Sequence, residues 1–211
     1  LNSDAILNSE GYTVSTQLSF PKKWGLGTSS TLINNIAQWF NINAFELLKN
    51  SFGGSGYDIA CAQNDYPILY HLEQEQPIVE KVKFNPTFSK NLYFVYLNQK
   101  QNSKNAIASY KEKKNNLEDT KEIINQLTQT VLNSKDENTF AQALEKHEKE
   151  LSFILETKTV KENLFHDFDG TIKSLGAWGG DFVLVISKEN PAPYFISKGF
   201  ATIIPYQEMI L

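Results

Sequence analysis

The sequence predicts an α+β fold, and three observations carry that prediction. Short β-rich runs recur along the chain, amphipathic helical repeats stand between them, and glycine clusters punctuate the chain at three points. The 211 residues, 41% of them hydrophobic, suffice for one large domain or two small ones.

The elements follow in order. Residues 13–20 are β-rich and predict a strand ended by Pro21. After the glycine loop Trp24-Gly25-Leu26-Gly27-Thr28-Ser29-Ser30, the apolar residues Leu32, Ile33, Ile36, Ala37 and Phe40 recur at helical spacing. That reads as strand, glycine loop, helix N-terminus. Residues 43–50 predict a second, short helix, broken by Phe52-Gly53-Gly54-Ser55-Gly56. Residues 67–72 and 92–97 read as strands, and 77–86 between them as a strand or an irregular crossing. Residues 104–155 are rich in lysine and glutamate and read as helical. One stripe is Ile123, Ile124, Leu127 and Val131; another is Phe140, Leu144, Leu151 and Leu155. Asn133-Ser134-Lys135-Asp136 reads as the break between two helices, with Ser134 or Asp136 as N-cap. Residues 182–187 form an apolar strand after Gly176-Ala177-Trp178-Gly179-Gly180, and a last strand covers about 201–204.

Bulk properties narrow the function. A net charge of −4 argues against general nucleic-acid binding, which favours a basic surface. Every one of the 20 basic residues is lysine, so no bidentate arginine clamp on a phosphate comes from this chain. The one cysteine, Cys61, cannot pair within the chain, which suggests a reducing, cytoplasmic setting. No apolar run reaches the ~18 residues of a membrane span, and Leu1-Asn2-Ser3-Asp4 does not read as a signal peptide. The chain also lacks an initiator methionine.

Three constellations carry candidate chemistry. Glycines in Gly25-Leu26-Gly27-Thr28-Ser29-Ser30 let backbone turn tightly before a helix, whose free N–H groups and dipole form an anion site. The hydroxyls of Thr28, Ser29 and Ser30 add hydrogen bonds or a magnesium ligand. The same spacing is compatible with a plain corner capped by Thr28 or Ser29. No Gly-Lys-Ser/Thr follows, so this is not a Walker loop. In Gly53-Gly54-Ser55-Gly56-Tyr57-Asp58, a carboxylate after a glycine turn can act as general base or simply cap the next element. Lys173-Ser174-Leu175-Gly176-Ala177-Trp178-Gly179-Gly180-Asp181 can shape a ligand site or turn tightly before a buried strand.

Together, in this order, the three resemble the GHMP kinases. Gly25 to Ser30 resembles that family's phosphate loop, usually Gly-Leu-Gly-Ser-Ser-Ala, and Gly176 to Gly180 resembles its C-terminal glycine motif, with Trp178 in place of a glycine. Gly54-Ser55-Gly56-Tyr57-Asp58 is similar to a Gly-Ser-Gly-Phe-Asp segment of phosphomevalonate kinases, and Asp181 leans the same way. The resemblance runs from about Thr13 to the C-terminus and implies a two-lobe fold with a ferredoxin-like C-terminal lobe. It places residues 1–88 in the ATP-binding lobe and 89–211 in the C-terminal lobe. It implies ATP and Mg2+ as cofactors, with Gly25, Leu26, Gly27, Thr28, Ser29 and Ser30 holding phosphates. Ser29 and, offset by one position, Glu46 match the magnesium ligands. Asp58 matches the catalytic aspartate, and Lys173 is placed near the transferred phosphate. Gly56, Tyr57, Gly176, Ala177, Gly179 and Gly180 fall to a small-molecule acceptor, phosphomevalonate first, mevalonate or a sugar next. Neither a nucleic acid nor a membrane is an expected partner. The family's first motif, a Pro-Gly-Lys/Arg-type segment, is absent. Either the chain is part of a longer protein or it never carried that segment, and in the second case an inactive nucleotide-binding paralogue is the alternative.

Three other signals resolve to plainer readings. Asp167-Phe168-Asp169-Gly170-Thr171 matches a haloacid-dehalogenase signature, but polar residues precede it and only 40 residues follow Thr171, so a polar turn with capping aspartates is expected. His147, between Leu144 and Leu151, reads as a packed or half-exposed helix residue. Lys111 to Lys114 reads as a solvated helix face.

Overall fold

The computed structural model describes residues 12–99, 118–176, 178 and 180–210. The chain divides into two compact units, Leu1–Phe84 and Asn85–Leu211. The sequence expectations for residues 100–117, Lys111 to Lys114 among them, lie outside the described residues, as do those for Ala177 and Gly179.

The first unit holds a short 3-10 turn at Lys22–Trp24, helices α1 (Thr28–Trp39), α2 (Ala44–Ser51) and α3 (Tyr57–Ala62), and the antiparallel hairpin β1 (Ile68–Glu73) and β2 (Gln76–Lys81). The helical repeat after the glycine loop is α1, which buries Ile33 and Ala37. These pack with Ala44 and Leu48 of α2 and Ile59 of α3. The side chain of Asn43 starts α2 by accepting from the N–H groups of Phe45 and Glu46 at 2.8 and 3.3 Å. Of the stretch 77–86, expected as a strand or an irregular crossing, residues up to Lys81 belong to the second hairpin strand and 82–86 are irregular; the hairpin turn places Gln74 and Glu75 at φ +48° and +63°, the twist two-residue hairpins prefer.

The strand expected over 13–20 does not form among the described residues. Val14, Thr16 and Leu18 have β propensity, but propensity only registers where a neighbouring strand accepts the backbone hydrogen bonds. Residues 12–18 are exposed.

The second unit is built on a four-stranded antiparallel sheet in the order β4-β5-β3-β6, from β3 (Leu92–Tyr96), β4 (Thr171–Ser174), β5 (Phe182–Ile186) and β6 (Ile203–Pro205). Helices α4 (Glu118–Asn133) and α5 (Glu137–Leu155) lie between β3 and β4 in sequence, with the short α6 (Val160–Leu164) after them. Helix α7 (Ala192–Ser197) joins β5 to β6, and α8 (Tyr206–Met209) follows. This interleaving of two strand–helix–strand crossovers is the ferredoxin-like arrangement. Asp136 caps α5, accepting from the Thr139 N–H at 2.8 Å.

Strand β4 is an element that the sequence reading did not assign. It pairs with β5 through Thr171 opposite Ile186 and Ser174 opposite Val183. Its four residues include Thr, Lys and Ser, so they show no apolar run, yet all four are buried. Alternation puts Ile172 on one face, in a cluster with Val95, Val183, Val185, Phe165, Phe168 and Phe195. Thr171 and Lys173 point the other way and meet carboxylates of α5. The Thr171 hydroxyl donates to Glu145 at 2.8 Å, and the Lys173 ammonium pairs with Glu148 at 2.9 Å.

The Asp167–Thr171 signature is a surface turn feeding β4. Asp167 accepts from the Tyr194 hydroxyl at 2.6 Å and from the Lys198 ammonium at 3.0 Å, so it ties the turn to α7 rather than capping a helix. These two donors hold its pKa down at about 2. Phe168 packs inward, and Gly170 sits where any side chain would collide. An added Cβ would lie 2.7 Å from the Ile186 carbonyl oxygen and 2.6 Å from the Phe168 ring.

Gly170→Ala is therefore expected to destabilise the chain by about 1–3 kcal/mol, a drop of several degrees in thermal midpoint followed by circular dichroism. An unchanged midpoint would mean that the turn relaxes around the methyl group.

Candidate functional site

The phosphate-loop candidate forms a corner built on two left-handed glycines. Gly25 (φ +70°) ends the 3-10 turn, and Gly27 (φ +67°) is the N-cap residue of α1. The Gly27 N–H bonds back to the Gly25 carbonyl at 2.9 Å, closing a tight turn. Only glycine takes this conformation at little cost. Because Gly27 has no side chain, no side-chain cap covers the first turn of a 12-residue helix. Thr28 and Ser29 lie inside the helix, so neither is the cap that an ordinary corner would have used. The first-turn N–H groups of Thr28, Ser29 and Ser30, at the positive end of the helix dipole, thus receive no side-chain cap. Space beside Gly27 is open, with no atom within 4 Å of an added Cβ. Leu26 and Thr28 are half-buried, Ser29 is exposed and Ser30 is buried. An uncapped helix start of this kind is chemically suited to an anion.

Asp58 comes from α3, which packs against α1. Buried Asn34 of α1 accepts from the Gln63 amide at the end of α3 at 3.1 Å. A buried polar group needs such a partner, so this bond fixes how the two helices meet. The approach to α3 passes through Gly53, Gly54 and Gly56, all at positive φ. Gly56 is required twice over: its φ is +85°, and a Cβ there would lie 2.8 Å from the Phe45 ring and 3.1 Å from the Tyr70 hydroxyl. The Tyr70 hydroxyl donates to the Ser55 carbonyl.

Asp58 does not take the capping role open to it: the N-cap of α3 is Gly56, with no side-chain cap, and the Ser55 hydroxyl just before it accepts from the Tyr57 N–H at 3.3 Å. Asp58 is the second residue of α3. Its side chain reaches solvent, and the protein packed around its carboxyl still raises its pKa above the usual carboxylate value. Tyr57 stands beside it, edge-on to Tyr70 at 5.7 Å between ring centroids. Burial raises the Tyr57 pKa, and contact with Cys61 and the charge of Asp58 add to it. Cys61 is a free thiol one turn along the helix, its pKa raised first by burial.

The remaining candidates separate. Glu46 is exposed in the first turn of α2, where its charge suits the helix dipole. Among the described residues no three acidic, His or Cys side chains gather as a metal cage. Magnesium bound through nucleotide phosphates does not need one, so a Ser29 hydroxyl at the loop remains compatible with it. Lys173, Gly176 and Gly180 belong to the second unit. Lys173 is 8% exposed, and its ammonium is engaged by Glu148 and by the Ser174 carbonyl at 2.6 Å. In this arrangement it offers no open charge to a phosphoryl group. Gly176 takes φ +64° and Trp178 φ +53°.

From sequence alone, Ser174 stands only within the run from Lys173 to Asp181, with no role of its own, and Glu148 has no role. The signal that marks Glu148 is a glutamate on the buried side of α5, next to His147. With Trp178, Leu151 and Val160, Glu148 and Ser174 line a cleft of about 390 Å³ in the second unit. His147 is half-buried, its Nδ1 without a hydrogen-bond partner among the described residues. Burial, helped by the Lys173 charge and opposed by that of Glu148, pushes its pKa down to about 4.

With the geometry in place, comparison with solved structures identifies the fold. The chain has the α+β fold of GHMP kinases. It matches Streptococcus pneumoniae phosphomevalonate kinase, solved with phosphomevalonate and AMPPNP, at TM-score 0.63 and 20% identity, over 86% of this chain and 69% of that one. It matches L. major mevalonate kinase, solved with R-mevalonate, at TM-score 0.56 and 15% identity, over 85% and 62%. The Lin0012 protein from Listeria innocua matches at TM-score 0.60 and 18% identity, over 83% and 63%. The chain thus spans about two thirds of the length of each. No protein-family model and no curated protein matches the chain.

A neutral folded-state His147 makes stability depend on pH. Below the ordinary histidine pKa of 6.5 the unfolded chain takes up a proton that the folded chain does not, so stability falls from about pH 6.5 down to about 4 and levels off below. Thermal midpoints measured across that window should fall less steeply in His147→Gln than in the unmodified chain; parallel curves would remove His147 as the source.

Proposed function

We propose that this chain is the larger part of an ATP-dependent small-molecule kinase of the GHMP type, acting on a mevalonate-type acid, with phosphomevalonate the first choice. The observation that carries the proposal is the uncapped N-terminus of α1 behind two left-handed glycines, in a fold shared with kinases of that group. Phosphoryl transfer depends chiefly on positioning and charge neutralisation, because its transition state is loose. ATP supplies the phosphoryl group when bound, and magnesium offsets its charge. The N–H groups from Thr28 to Ser30 would hold phosphate oxygens, and the Ser29 hydroxyl would face the metal. Asp58 would take the proton of an acceptor hydroxyl, or orient an acceptor phosphate. A raised pKa improves it as a proton acceptor. Gly56 and Tyr57, with Gly176, Ala177, Gly179 and Gly180, are proposed for the acceptor, and Glu46 stands as a second, outer candidate for the metal.

A second reading has one specific observation behind it. Lys173, the proposed basic partner of the transferred group, is engaged by Glu148. A nucleotide-binding paralogue without turnover would tolerate that arrangement.

The test uses the full-length parent protein with Mg-ATP and, in parallel, mevalonate, phosphomevalonate and a sugar panel, with product detected by mass spectrometry. Phosphorylated phosphomevalonate is the expected product. Asp58→Asn should lower turnover by about 10²–10⁴-fold while leaving ATP affinity within about twofold. With a hydroxyl acceptor, the acid limb of the rate profile should sit above the usual carboxylate pKa and vanish in that variant, since activity rises with pH as Asp58 loses its proton. ATP binding without any product would favour the inactive paralogue.

A further inference from the structure

Ser174 is the last residue of β4, immediately before the glycine connection to β5. Each of its three hydrogen-bonding groups is held by one ion pair. Its N–H donates to the Glu148 carboxylate at 3.2 Å, its hydroxyl donates to the same carboxylate, and its carbonyl accepts from Lys173 at 2.6 Å. Lys173 and Glu148 themselves meet at 2.9 Å, with side chains only 10% and 9% exposed. Burying two charges is costly, and a well-packed apolar pair of similar size often stabilises as much or more. What the charged pair adds is directionality, because its hydrogen bonds fix the position of the backbone that they grip.

The place gripped is informative. Beyond Ser174 the chain enters left-handed backbone at Gly176 and Trp178. Glu148, Ser174 and Trp178 then border the same cleft, so the anchor and the segment it holds share one surface. The neighbouring carboxylate on α5, Glu145, makes a different attachment three residues earlier, to the Thr171 hydroxyl at the start of β4. It holds strand to helix without touching the connection.

We propose that Glu148 is a positioning residue for the connection between β4 and β5, acting through Ser174 and Lys173, and that acceptor affinity depends on it. The second half of this proposal rests on the kinase reading; the first does not. Nucleotide affinity depends on the loop at Gly25 to Ser30, in the other unit, and is expected to be independent of Glu148.

The experiment combines hydrogen exchange by mass spectrometry with steady-state kinetics on the full-length protein. The variants are Glu148→Ala, Glu148→Gln, Ser174→Ala and, as a control that removes one bond between β4 and α5, Thr171→Val. In Glu148→Ala and Ser174→Ala, peptides covering 174–181 should exchange about tenfold faster, with peptides of α1 unchanged. Glu148→Gln keeps an acceptor for Ser174 and should fall between. Thr171→Val should lower the thermal midpoint without that local change. The KM for the acceptor should rise on the order of tenfold in Glu148→Ala and Ser174→Ala, with the KM for ATP within about twofold. If Glu148→Ala does not fold, Ser174→Ala decides. Unaltered exchange over 174–181 overturns the anchor. Faster exchange with an unaltered acceptor KM overturns its link to the acceptor. An unmodified protein without turnover overturns the kinase reading, and the exchange measurement then still decides the anchor.

Discussion

Strand β5 has no solvent face, and much of the second unit follows from that. Its five residues, Phe182 to Ile186, are all buried, so both sides of the sheet must be covered around it. On one side the cover is aromatic: Phe165, Phe168 and Phe195 close over Val183, Val185, Val95 and Ile172, with Phe165 and Phe195 edge-on at 4.9 Å. On the other side α5 lies against the neighbouring β4 and brings two carboxylates with it. A sheet buried on both faces leaves polar strand residues no water, so Thr171, Lys173 and Ser174 must find partners within the protein. Glu145 and Glu148 are those partners. The ion pair is the consequence of placing a polar strand beside an apolar one in a two-sided core.

The first unit is organised by backbone conformation more than by burial. Its core is a small cluster of Ile33, Ala37, Ala44, Leu48 and Ile59. What sets its candidate site is that Gly25, Gly27, Gly53, Gly54 and Gly56 all occupy left-handed backbone. Two helices consequently begin after a glycine, with no side chain spent on the first N–H groups of α1. The buried Asn34–Gln63 bond then holds α3, and with it Asp58, in a fixed relation to α1.

Much of this was legible in the residues. The α1 and α2 repeats, the break at Asn133 to Asp136, the strands at β1, β3 and β5 and the glycine corners all appear as local signals, because helix period, capping and glycine placement are properties of short windows. Two readings failed for non-local reasons. Residues 13–20 have strand composition, but pairing requires a partner that local composition cannot supply. Strand β4 has polar composition, yet it is buried because its partners come from a helix 26 residues away in sequence, as in the bond from Thr171 to Glu145.

The candidate site divides along the same line. By itself the sequence determined where chain direction must change and which groups are presented at the change: the glycines, the hydroxyls at Thr28 to Ser30, and Asp58 after a glycine turn. These follow from conformational freedom and side-chain chemistry at single positions. Only the tertiary structure decided how those groups are spent. It placed Gly56, which has no side chain, at the cap of α3 and left Asp58 inside the helix rather than at its cap. It also joined Lys173 to Glu148, because burial makes an unpaired charge too costly and the nearest carboxylate lies on the helix packed against that strand.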